Sequence, residues 1–101
     1  MGDEMDRSIK IEGDLAPGLT VEAVNEYLEK VKQAARECGI TERGELELEA
    51  IRHSEGFEIK FALRDRSKAD CIKEAIRRVM PSMPVNTRAI FERVLGQLAD
   101  E

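Results

Sequence analysis

The chain has 101 residues, 42% hydrophobic and 37% charged, with no Trp and a formal net charge of −5. That length bounds it to one domain, able to bury roughly 60 to 70% of the surface its unfolded form exposes and so to fold without a metal or a disulfide. The composition excludes a disordered chain, no apolar run reaches the roughly 18 residues of a bilayer span, and the first residues lack the basic and apolar regions of a secretory signal, so a cytoplasmic protein is expected.

Charge is unevenly spread. Residues 1–50 hold 6 basic and 13 acidic side chains, whereas residues 64–93 hold 8 basic and 4 acidic ones, which allows a local positive face on an acidic protein.

Residues 1–7 are polar and acidic and read as a disordered tail, leaving a single α/β domain over residues 8–101. Ser8–Glu12 reads as a short strand with Ile9 and Ile11 on one face. Residues 13–18 form a loop around Pro17 and lead to Thr20, whose hydroxyl suits a helix N-cap. Val21, Val24, Leu28, Val31, Ala35 and Cys38 then recur three or four apart, predicting an amphipathic helix over residues 21–38 that ends at Gly39.

The sharpest pattern lies at residues 45–64. Leu46, Leu48 and Ala50 alternate with Glu45, Glu47 and Glu49, and Phe57, Ile59, Phe61 and Leu63 alternate with Glu58, Lys60 and Arg64. That period of two predicts a half-buried hairpin with a four-residue loop, His53 to Gly56. This register sets Leu46, Leu48 and Ala50 opposite Leu63, Phe61 and Ile59, with Glu45 opposite Arg64 and Glu49 opposite Lys60, so apolar meets apolar and acid meets base. Ile51 breaks the alternation and is expected to be turned back by a bulge.

Ser67 with Asp70 three residues on resembles a capping box, and Ala69, Ile72, Ala75, Ile76 and Val79 form a second helical stripe that Pro81 and Pro84 stop. Residues from Val85 onward form a third helix with Ile90, Phe91, Val94, Leu95 and Leu98 as its apolar side.

The fold class is therefore α+β, with element order β-α-β-β-α-α. A right-handed crossover through the first helix places the third strand between the first two. The expected architecture is a two-layer sandwich with a three-stranded antiparallel sheet of order 1-3-2. It amounts to a ferredoxin-like split β-α-β plan lacking its last strand, with a C-terminal helix in that place. The first strand is then an edge that invites pairing unless something covers it.

Catalytic and ligand signals are sparse. His53, the single histidine, lies beside Ser54 and Glu55 at the hairpin tip, a composition that turn chemistry alone explains. The Glu45, Glu47, Glu49 row reads as a solvated sheet face. Cys38 and Cys71 each fall on the apolar side of a helix and read as two buried free thiols, with a disulfide or redox pair as the alternative. No phosphate loop, zinc set or cofactor motif is found, and no metal or cofactor is expected. The open sheet face is Glu-rich and offers no aromatics for stacking RNA bases.

The expected function is that of a non-enzymatic protein-interaction module, a regulatory subunit, adaptor or inhibitor whose partner is another protein. Glu45, Glu47 and Glu49 and the helical residues Ile90, Phe91, Val94 and Leu98 are the candidate partner surface. Homodimerisation through the edge of the first strand or through the C-terminal helix is one form this takes. The alternative is a nucleic-acid or nucleoprotein factor using the basic cluster Arg64, Arg66, Lys68, Lys73, Arg77 and Arg78.

Overall fold

A computed structural model describes residues 4–12 and 18–99. Strand β1 (Met5–Glu12), helix α1 (Val21–Ala34), strands β2 (Leu46–His53) and β3 (Gly56–Leu63), and helices α2 (Ala69–Val79) and α3 (Val85–Ala99) follow in chain order, linked in part by single 3-10 turns. The three strands are antiparallel in the order β1-β3-β2.

The hairpin register is the expected one. Leu46, Leu48 and Ala50 face Leu63, Phe61 and Ile59, and Glu49 faces Lys60. The alternation runs without a bulge to His53, which pairs with Gly56, so the loop is Ser54-Glu55 alone rather than four residues. Ile51 stays in the ladder opposite Glu58, half-exposed on the open face, where Asp6, Ser8 and Lys10 of β1 also lie.

All three helices cover the other face. α1 packs on β2, α3 on β1, and α2 lies between them. The core joins the inward residues of all three strands to Val24, Leu28 and Val31 of α1, Ile72 and Ile76 of α2, and the apolar side of α3. Ile90, Phe91, Val94 and Leu98 are each 2% exposed or less inside this core. The surface expected from them is therefore the underside of the chain's own helix, closed by β1 and α2. The third helix completes the layer over a sheet that would otherwise leave Ile9 and Ile11 uncovered.

β1 begins at Met5, three residues before the expected start. Met5 is 1% exposed and pairs with Leu63, so its burial draws the strand back through Asp6 and Arg7 into the segment read as tail; residues 1–3 lie outside the described residues. The Thr20 hydroxyl accepts from the Ala23 N–H at 3.1 Å, the expected N-cap. α1 stops at Ala34 and tightens into a 3-10 turn, Ala35–Cys38, before Gly39 leaves it at φ 84°, a left-handed conformation that costs least at glycine. At the entry to α2 the cap is Asp65 rather than Ser67. Its carboxylate accepts from the Ser67 N–H at 3.1 Å and hydroxyl at 2.7 Å, closing the 3-10 turn Arg66–Lys68 that precedes the helix.

Cys38 and Cys71 are bonded to each other, with Cα atoms 5.8 Å apart. The two apolar helix positions read as separate thiols face one another across the α1–α2 packing, a proximity that spacing along one chain does not reveal. The bond ties the end of the first helix to α2 across a separation of 33 residues.

Candidate functional site

The hydrogen-bond parity of β2 builds the site. The Glu45 carbonyl accepts from the Arg64 N–H at 2.9 Å, so odd-numbered residues turn their backbone groups toward β3. Even-numbered residues turn theirs outward, along the sheet edge. Ala50 shows this directly: its N–H donates to Asn25 Oδ1 at 2.9 Å, and its carbonyl accepts from Asn25 Nδ2 at 3.2 Å. The amide of a helix residue thus occupies both edge groups of one strand residue, as a neighbouring strand would.

The same parity turns the N–H and C=O groups of Leu46 and Leu48 outward, and among the described residues they have no hydrogen-bond partner. Both side chains are buried in the core while the backbone between them forms the floor of an open groove of about 710 Å³. The wall opposite is formed by Asn25, Glu29 and Lys32 of α1 and by Arg36 of the 3-10 turn that follows it, which fall at helical spacing on one side. Ile40, Thr41 and Glu42 close one end. Asn25 on Ala50 closes the other.

Two kinds of charge border this groove. Lys32 binds Glu29 at 2.9 Å on the wall, and Arg36 beside it is exposed with no acidic partner among the described residues. Glu47 and Glu49 stand on the strand and point to the open sheet face. Glu49 has Lys60 opposite in the ladder, whereas Glu47 has Ala62 and no basic neighbour there.

Glu45 does not belong to this row. It precedes β2 in the 3-10 turn Arg43–Glu45, and its carboxylate folds back to accept from the Thr41 and Glu42 N–H groups, both at 3.0 Å. Lys68 Nζ lies 3.4 Å from its other oxygen. The Glu42 N–H, then that of Thr41, and Lys68 hold this carboxyl below its usual pKa. The alternation continued one residue past the strand in the sequence, and capping chemistry claimed that residue instead.

The basic cluster is largely paired. Lys68 also donates to the Gly39 carbonyl at 3.3 Å, Lys73 meets Asp70 at 3.4 Å, Arg77 meets Glu74 at 2.5 Å, and Arg78 meets Glu37. Arg66 donates to the Glu4 carbonyl at 3.2 Å, and Arg64 lies exposed over Gly44. At least four of these six cations therefore have an acidic partner within the chain.

His53 finds a partner outside its turn. Its Nε2 lies 2.7 Å from Glu58, and the same carboxylate accepts from the Ser8 hydroxyl. The acid sits between the two, so the imidazole is not placed to take the hydroxyl proton, and the group lies on the solvated sheet face. Nucleophilic chemistry needs the base beside the hydroxyl. Among the described residues no cluster of three or more His, Cys, Asp or Glu side chains is placed to hold a metal ion, and no helix is long and apolar enough to cross a membrane.

Sequence reasoning found Glu47 and Glu49 but missed Asn25, Lys32 and Arg36. The available signal was Asn25, an amide beside the apolar stripe of Val24 and Leu28 on a helix that must cross an edge strand. No protein family, curated protein or solved structure matches the chain.

Proposed function

We propose that this chain is a non-enzymatic protein-interaction module, a subunit, adaptor or inhibitor that takes its partner in the α1–β2 groove. The observation that supports this reading is the pair of outward backbone positions at Leu46 and Leu48, left open under a charged helix while Asn25 closes the next position on the same edge. A fold that caps one edge residue with a dedicated side chain, yet leaves two beside it in a groove, presents a bounded surface. The same reading takes the architecture as a ferredoxin-like split β-α-β plan without its last strand, supported by the β1-β3-β2 order and by helices on one face only.

Affinity capture from the native lysate with the immobilised full chain tests it. Lys32→Glu/Arg36→Glu is compared with Arg88→Glu/Arg93→Glu, an equal charge change at exposed positions of α3. A protein retained by the wild type and the α3 variant and lost by the groove variant is the expected result. Identical capture by all three overturns the reading.

A further inference from the structure

We infer that the occupant of the groove is an extended segment of another protein that adds to the β2 edge as a fourth strand, and that it alternates basic and acidic residues. The inference rests on the functional reading above and names the partner's chemistry. Three observations carry it.

The floor presents N–H and C=O groups at Leu46 and Leu48 with a period of two, the repeat of an extended chain lying roughly 4.8 Å away. A helix satisfies its backbone internally and offers nothing to such a row. The window is also short. Asn25 occupies Ala50 at one end and the Arg43–Glu45 turn ends the strand at the other, so an added strand makes about four backbone hydrogen bonds over roughly three to five residues.

The side chains of an added strand alternate between faces. One set stands on the open sheet face beside Glu47 and Glu49, and because the residue directly opposite Glu47 on β3 is the uncharged Ala62, a Lys or Arg opposite it on the outer side supplies a cross-strand pair. The other set points to the α1 side, where Arg36 leads because Lys32 already binds Glu29. An Asp or Glu fits there.

A second copy of the chain fits less well. β2 against β2 sets Glu47 and Glu49 against their own kind, and pairing through the β1 edge would have to displace the Arg7 guanidinium from the outward Asp6 carbonyl.

The test titrates the full chain, disulfide intact, into fluorescein-labelled acetyl-Lys-Glu-Lys-Glu-Lys amide at low salt, read by anisotropy. Two further peptides carry backbone N-methyl groups on the Lys residues or on the Glu residues. Strand addition predicts that one set lowers affinity at least about tenfold, the equivalent of one or two backbone hydrogen bonds, while the other set changes it little. Amide exchange should show the Leu46 and Leu48 N–H groups gaining protection on binding. Equal tolerance of both methylated sets, equal binding of a Lys-Lys-Lys-Glu-Glu peptide, or no saturable binding overturns the inference. A lysate partner lost with Lys32→Glu/Arg36→Glu that leaves the Leu46 and Leu48 amides unprotected also overturns it, while the groove reading stands. Absence of any groove-dependent partner overturns that reading itself.

Discussion

Reducing the Cys38–Cys71 bond is the perturbation whose size follows most directly from the fold. The bond closes a loop with a sequence separation of 33, and the chain-entropy relation for that length gives about 3.7 kcal/mol lost on reduction. A domain of this size has roughly 5 to 15 kcal/mol in total, so the loss is a large share of it. At about 4 to 8 °C per kcal/mol, the melting temperature should fall by roughly 15 to 30 °C. The assay is urea unfolding followed by far-UV circular dichroism, with and without a phosphine reductant, and repeated on Cys38→Ser/Cys71→Ser. The reduced protein and the double variant should unfold together, at lower urea and with a steeper m-value, because the uncrosslinked unfolded chain exposes more surface. Superimposable oxidised and reduced curves would refute the reasoning, as would two titratable thiols in the unfolded, unreduced protein.

Three further outcomes are expected. Glu45 and Asp65 are both held below their ordinary pKa values of 4.5 and 3.8, Asp65 by the hydroxyl and then the N–H of Ser67; their stabilisation is full above those values and lost as pH falls through the lower folded ones. Acid titration of the urea midpoint below about pH 4.5 should therefore be shallower for Glu45→Gln/Asp65→Asn than for the wild type, and equal slopes would count against the capping geometry. Phe91→Ala should cost about 3 to 5 kcal/mol in the same urea assay, since the ring is fully buried in the chain's own core; a loss below about 1 kcal/mol would return α3 to the surface. Arg77→Glu/Arg78→Glu should leave anisotropy of labelled RNA and DNA unchanged at low salt, because both arginines already have acidic partners; salt-sensitive binding by the wild type alone would revive the nucleic-acid reading.

What could be read from the sequence was what depends on neighbours along the chain. The alternation of Leu46, Leu48 and Ala50 against Phe57, Ile59, Phe61 and Leu63 leaves one register that buries both sets, and a slip of one residue would expose them all. Strand order followed from crossover handedness, and the Thr20 cap from local hydrogen bonding. What stayed hidden depends on proximity through space. Cys38 meets Cys71 only once α1 lies on α2, Met5 becomes core only once Leu63 lies beside it, and the Asn25 amide has a purpose only when an edge strand passes under it. Glu45 was misread because its alternation is genuine and only the backbone geometry at Thr41 and Glu42 takes it out of the row.

The two sheet edges are guarded in different ways, and the difference bears on selectivity. By the parity that leaves Ala50 outward on β2, the outward positions on β1 are Asp6, Ser8 and Lys10. Arg7, opposite Phe61, stands on the core side of that edge and donates to the Asp6 carbonyl at 2.9 Å. A strand arriving at β1 would have to displace that bond and desolvate a guanidinium against its own side chains, a cost that resists pairing of any length. Asn25 acts otherwise: it adds no charge and satisfies both groups of one residue, so it ends the β2 edge at Ala50 without protecting Leu46 and Leu48. One guard closes an edge and the other measures it. Under the proposed strand addition, a partner on β2 would be selected by length at Asn25 and by charge at Glu47 and Arg36. Any segment that continues past the window must turn away from the sheet where the amide stands.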